Sequence, residues 1–185
     1  MGNRLVAVLD ADVLVPILSC DLLLCAFDHD LYRPVVTGRI LGEVERTLTV
    51  DFAHLDPAAV RRRGAQVAQT LAFHTHPDTE PTDAVAGVNI KDRHVAAVAL
   101  ASKADVVVSN DRRLRRQITQ LDTPVRAVTA DDLMVGLCDA DRDGVDEVIA
   151  TMVTRRVRRP ITRAELIDQL ARSFPRFAAA LNVGG

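Results

Sequence analysis

Apolar residues along this chain come in blocks whose spacing switches between strand and helix. Leu5-Val6-Ala7-Val8-Leu9 is apolar without interruption and stops at Asp10, the pattern of a strand buried on both faces of a parallel sheet. Asp105 to Ser109 repeats it around Val106-Val107-Val108, and Val35-Val36 and Val125 to Val128 read as shorter strands. Between them lie helical patterns. These are Val13 to Phe27, with Pro16 placed in the first turn, then Arg39 to Leu48, Pro57 to Phe73, Asp92 to Ser102, Leu114 to Ile118 and Asp131 to Leu137. Asp56-Pro57 supplies an N-cap followed by an N1 proline. His74 to Thr82 is polar, contains proline and reads as a loop. Strands alternating with helices predict an α/β fold with a central parallel sheet. Past Cys138 the texture changes. Asp146 to Val157 and Ala164 to Arg172 predict helices parted by Pro160, with no further strand. The expected organisation is a domain over residues 1–138 and a helical extension over 139–185.

The chain has 185 residues, 48% of them apolar, enough to bury a sizeable core. Only 3% are aromatic and none is Trp, so that core must be built from Val, Leu, Ile and Ala. A net charge of −2 provides no global field for nucleic acid or membrane. The basic residues are Arg except for Lys91 and Lys103. Cys20, Cys25 and Cys138 are an odd set without a framework, which argues for a reducing compartment; Cys20 and Cys25 fall in an apolar helical run and read as core. No secretory h-region is present, and the longest apolar stretch, around Leu22 to Phe27, is too short to span a bilayer. A soluble cytoplasmic protein is expected.

The candidate chemistry is acidic. Asp10 ends the first strand and Asp111 lies just past the strand at Val106 to Val108. Ligands of open α/β sheets bind outside the carboxyl ends of strands, so both carboxylates are expected in one crevice. Asp92 begins a helix, where its plain role is to complement the helix dipole. Glu43 and Glu45 both flank the stripe Ile40, Val44 and Leu48, and periodicity does not choose between them. Two carboxylates ~5 Å apart repel by roughly 3 kcal/mol at an effective dielectric of ~20. Such a cluster needs protons or a cation. Oxygen ligands without a Cys or His set suit Mg²⁺ or Mn²⁺ rather than zinc, and these ions activate water and bridge phosphodiesters.

Four ordered motifs sharpen this reading. Val8-Leu9-Asp10-Ala11-Asp12-Val13-Leu14, Ile40-Leu41-Gly42-Glu43-Val44, Lys91-Asp92-Arg93-His94-Val95-Ala96-Ala97 and Ala104-Asp105-Val106-Val107-Val108-Ser109-Asn110-Asp111 resemble, in order, the acidic motifs of PIN-domain ribonucleases. The tail resembles that of one bacterial branch, in which an Arg/Pro-rich stretch, here Arg155 to Pro160, precedes a short helix ending in Phe-Ala, here Phe177-Ala178. The resemblance is to VapC-type toxins of type II toxin–antitoxin systems. It implies a three-layer α/β/α fold and Mg²⁺- or Mn²⁺-dependent endoribonuclease activity. It favours Glu43 over Glu45, and makes Asp10, Glu43, Asp92 and Asp111 the catalytic metal-holding acids. Asp12, Ser109 and Asn110 would support them from behind. It further implies an RNA substrate, a cognate antitoxin and a homodimer. Asp12 stands where Asn or a small residue is common and is a candidate extra ligand; Asn89 stands where Asp is common and removes a charge.

Other signals carry less. Arg112, Arg113, Arg115 and Arg116 follow Asp111 directly and are candidate phosphate contacts. Arg61-Arg62-Arg63 reads as a solvated face, and His74-Thr75-His76 as a solvated loop. His94 reads as a helix-surface histidine or a substrate contact beside Asp92. Asp139 to Gly144 starts like an EF-hand loop, but Ala150 stands where the bidentate Glu is required. A haloacid-dehalogenase-like phosphatase is the alternative enzyme, with Asp10 and Asp12, then Ser109, then Asp131-Asp132; the basic residue it needs in between is usually Lys, and only arginines follow Ser109. A non-catalytic PIN-fold binding module would show a missing carboxylate, and none is missing.

Overall fold

A computed structural model of the chain describes residues 4–182. Residues 1–3 and 183–185, where the two expected segments begin and end, lie outside the described residues. The sheet contains β1 (Val6–Leu9), β2 (Arg33–Thr37), β3 (Thr75–His76), β4 (Val106–Val108) and β5 (Arg126–Val128), all parallel, in the order β3-β2-β1-β4-β5. Val8 sits beside Val35 on one side and Val107 on the other. Both β1 and β4 are buried throughout, as an uninterrupted apolar run requires when helices cover both faces. The expected α/β architecture with a central parallel sheet is present. The strand order reverses between β1 and β4, so the crevice beyond their carboxyl ends is the topological switch point.

The helices are α1 (Ala11–Leu14), α2 (Ile17–Asp28), α3 (Gly38–Asp51), α4 (Pro57–Thr70), α5 (Arg93–Ala101), α6 (Arg112–Thr119), α7 (Ala130–Ala140), α8 (Arg142–Thr154), α9 (Arg163–Leu170) and α10 (Pro175–Asn182). Three expectations need correction. The single helix expected over Val13 to Phe27 is two, because Pro16 adopts an extended ψ of 126° and caps α2 instead of continuing α1; its missing N–H and its ring end the first helix. The expected loop His74 to Thr82 contributes Thr75 and His76 to the sheet edge beside Val36 and Thr37. Two residues give no periodicity, so only the neighbouring strand reveals it. The short helix expected to end at Phe177-Ala178 instead begins just before them, at Pro175, and runs on to Asn182 as α10.

The tail is not a loose appendage. Val148 and Ile149 of α8 and Leu166 and Leu170 of α9 are fully buried in one core with the sheet residues. That core unites α2 with α8, and α7 with α8 and α10. Arg142 reinforces the joint by donating to the carbonyls of Ala180 and Leu181 at 2.9 and 3.0 Å. Gly144 leaves room at the start of α8: a Cβ there would lie 2.7 Å from Leu31 Cδ2 and from Asp141 Oδ2 and would push both side chains aside. The segment read as an EF-hand start is this helix junction, with Asp141 capping α8 through the Gly144 amide. The three cysteines are buried and unbridged. Among the described residues no helix is long and apolar enough to cross a membrane.

Candidate active site

The loops that follow β1 and β4 form the centre of the site. Asp10 is half-buried at the end of β1. Its Oδ1 accepts from the Ala11 amide at 2.8 Å, capping α1, and its Oδ2 accepts from Ser109 Oγ at 2.8 Å. Asp12 accepts from Ser109 Oγ at 3.2 Å and from the Asn110 amide at 2.9 and 3.1 Å. Its carboxylate thus ties the β1–α1 turn to the β4–α6 turn. Ser109, fully buried, also accepts from the Asp111 amide at 3.1 Å. Asp111 caps α6, accepting from the amides of Arg113 and Leu114 at 2.7 and 3.2 Å. Asn110 Oδ1 accepts from the Ala130 amide at 3.4 Å and links this turn to α7.

Glu43 and Asp92 approach from α3 and α5. Glu43 is half-buried and Glu45 exposed, because the crevice lies on the Glu43 side of the Ile40, Val44, Leu48 stripe. Arg39 Nε lies 3.6 Å from Glu43 Oε1 and His94 Nε2 3.4 Å from Oε2. Asp92 sits at the N-terminus of α5 without a side-chain cap bond and has Lys91 Nζ 3.8 Å away. His94 is buried, not on the helix surface. Its Nδ1 donates to the Lys91 carbonyl at 2.9 Å, whereas Nε2 makes no aligned hydrogen bond despite its closeness to Glu43. The sequence signal for this burial is the apolar run Val95 to Leu100 behind it; one turn of α5 faces α3 instead of water.

The electrostatics join the acids into one system. Burial pushes the Asp10 carboxyl up to about 7, and the charges of Asp12 and then Glu43 add to it against the Ser109 and Ala11 hydrogen bonds. Burial also raises Asp12, opposed by its bonds from Asn110 and Ser109 and by the nearby Asp111 amide, with the Asp111 charge adding. Asp92 is raised by burial, lowered by Lys91, and raised by Asp111 and Glu43. His94 is held below its ordinary range by burial, against the pull of Glu43. Asp10, Asp12 and Asp92 therefore each sense the charge of another acid in the crevice. Among the described residues no three His, Cys, Asp or Glu side chains close into a preformed metal cage. The donors are oxygens on four separate elements, a set that suits a hard cation which keeps several of its own waters.

Of the four arginines after Asp111, Arg112, Arg113 and Arg116 are exposed, while Arg115 turns inward and donates to the Ser109 carbonyl at 2.7 Å. Arg115 braces the turn rather than facing solvent. The acids required by a dehalogenase-type phosphatase are engaged elsewhere. Asp131 accepts from the amides of Arg176 and Phe177 at 3.1 and 2.9 Å, and Asp132 closes a capping box with Thr129 and pairs with Arg176. Both secure α10 to α7.

Comparison with known proteins agrees with this architecture. A family model described as PIN domain matches residues 6–113, and one described as VapC50 C-terminal domain matches residues 130–183. The chain is 30% identical over 99 residues to the protein named "Putative ribonuclease VapC50" of Mycobacterium tuberculosis (strain ATCC 25618 / H37Rv), a match covering 52% of this chain and 59% of that protein. The chain thus spans less than two thirds of that relative's length. No solved structure matches. With the matched region covering β1 through the Asp111 turn and so every acid of the crevice, the chain belongs to the PIN-domain family.

Proposed function

We propose that this protein is a divalent-metal-dependent endoribonuclease and the toxin half of a bacterial toxin–antitoxin pair. The observation that carries the reading is Asp10, a carboxyl at the switch point that burial, helped by the charges of Asp12 and Glu43, raises to about 7, so that a proton or a cation must neutralise it. Mg²⁺ or Mn²⁺ is the cation that fits oxygen donors in an open set. Asp10, Glu43, Asp92 and Asp111 would hold it directly or through water. Bound there, it would supply an activated water and neutralise charge developing on a phosphodiester. Ser109 fixes the direction of Asp10 and Asp12 through one hydroxyl. Asp12, already accepting three hydrogen bonds, acts as the strut between the two turns. Arg112, Arg113 and Arg116 stand exposed beside Asp111 and would contact phosphates of the bound strand. Residues 1–138 form the nuclease domain in this reading, and 139–185 the extension.

Cleavage of single-stranded RNA should be lost in excess EDTA and restored by Mg²⁺ or Mn²⁺. Undiminished cleavage in EDTA would remove the metal from the mechanism. The toxin role is supported by the tail, whose model is that of VapC50, and by the ribonuclease name of the relative. It implies a cytoplasmic homodimer held silent by a cognate antitoxin. Expression of the soluble wild-type protein alone should arrest bacterial growth, and the Asp10→Asn variant at equal level should not. Equal growth of the two cultures would end the toxin reading.

A further inference from the structure

Away from the acids, α2, α4 and the end of α8 enclose a cleft of about 500 Å³. Asp10 sits just ahead of α1. The twelve residues of α2 then run back along the sheet to Asp28, a rise of about 18 Å. Asp21, Cys25 and Asp28 line the cleft, and none of the crevice acids does. Arg63 stands on one wall, Arg155 and Arg156 on the other. A second concavity, of about 590 Å³, opens off the same two arginines and is lined by Arg155 through Arg159. The two adjoin at Arg155 and Arg156 and together hold five arginines against two acids, Asp21 and Asp28, both in the first, a local charge of +3 in a chain whose net charge is −2.

The positive charge is only loosely compensated. Arg63 Nε and Nη2 are enclosed and donate to no protein acceptor, and Asp21 lies 3.8 Å from Nη1, beyond hydrogen-bond length. Arg155 pairs with Asp28 at 3.2 Å, and Arg156 meets only the neutral Gln169 amide oxygen at 3.3 Å. Arg158 and Arg159 are exposed and have no ion-pair partner among the described residues. The guanidinium fork matches paired oxygens of a phosphodiester. Two adjoining arginine-lined concavities suit a chain of phosphates better than one compact anion. No aromatic side chain lines either part, so bases have nothing to stack on and recognition falls on the backbone.

We propose that this arginine-lined track is an exosite that grips the phosphodiester backbone of single-stranded RNA at a distance from the acids. It deepens the nuclease reading above and rests on it for the identity of the polymer. The test measures binding of a labelled 30-nucleotide single-stranded RNA to the full chain in EDTA over a range of salt, so that the acids need not act. Arg63→Gln/Arg155→Gln/Arg156→Gln should bind more weakly and flatten the slope of log affinity against log salt by about 2, at roughly 0.7 per phosphate. Arg158→Glu/Arg159→Glu changes only exposed positions and guards against misfolding; it too should weaken binding and flatten the slope. Unchanged affinity and slope in both variants overturn the exosite. It is equally overturned if inorganic phosphate or a poly-glutamate peptide competes for wild type at lower concentration than unlabelled RNA, counted per charge, since the track then serves a compact anion or an acidic protein segment. If wild type binds this RNA but never cleaves it with Mg²⁺, the nuclease reading fails while the exosite stands.

Discussion

Asp10→Asn should lower RNA cleavage by at least about a hundredfold, the upper end of what even a residue supporting a metal ligand commands, while melting at or above the wild-type temperature. The two effects have one cause. Ionised Asp10 is buried beside Asp12 and within reach of Glu43, and its carboxyl is pushed from 3.8 to about 7. Its folded value lies above its unfolded one, so the folded state binds more protons between these limits. Stability is therefore highest below about pH 4 for this group and falls as pH rises to about 7. The roughly three-unit shift corresponds to at most about 4 kcal/mol of cost above pH 7. Asparagine keeps one acceptor oxygen, for the Ala11 amide, and offers its NH2 to Ser109 Oγ, whose own proton then goes to Asp12; it carries no charge, so the cost and its pH dependence both vanish. Cleavage by wild type should rise with pH through the region near 7, since protonated Asp10 is no ligand, and high Mg²⁺ should move that rise to lower pH. A variant that cleaves at the wild-type rate, or that melts well below wild type with unchanged pH dependence, refutes the assignment.

Phe177→Ala should cost about 3–5 kcal/mol, the range for truncating a large buried side chain, and lower the melting temperature by roughly 10 °C in a chain of this size. Phe177 is fully buried on α10, and its amide donates to Asp131 on α7 at 2.9 Å. Because α10 shares its core with α7 and α8, and α8 packs against α2, the loss should appear in one cooperative transition that includes the sheet. Calorimetry decides the point. Two transitions, with only a minor one displaced, would mean that the extension folds as an independent unit.

The parallel sheet was legible because β1 and β4 are buried on both faces, and such strands must be continuously apolar; Leu5 to Leu9 and Val106 to Val108 announce themselves. The expectation that acids at the ends of those strands share a crevice follows from topology alone, since any parallel β1–β4 pair brings the residues after both strands to one edge. Where a local rule had a single outcome the sequence sufficed, as at Asp56-Pro57, which starts α4 with Asp56 accepting from the Ala58 and Ala59 amides.

Tertiary structure decided what depends on contact between distant segments. Glu43 and Glu45 flank the same stripe, and periodicity leaves them equal; the position of α5 and His94 makes Glu43 the inward acid. His94 reads as surface because its own turn is polar; α3 buries it. That Asp12 receives the Asn110 amide and the Ser109 hydroxyl, some hundred residues away, is invisible in its own motif. The β3 edge is too short to show a period, and the arginine track unites Arg63 with Arg155 through Arg159 across two elements that share no sequence pattern. Local chemistry is written along the chain; the partner of each charge is chosen by packing, which places residues far apart in sequence within hydrogen-bond reach.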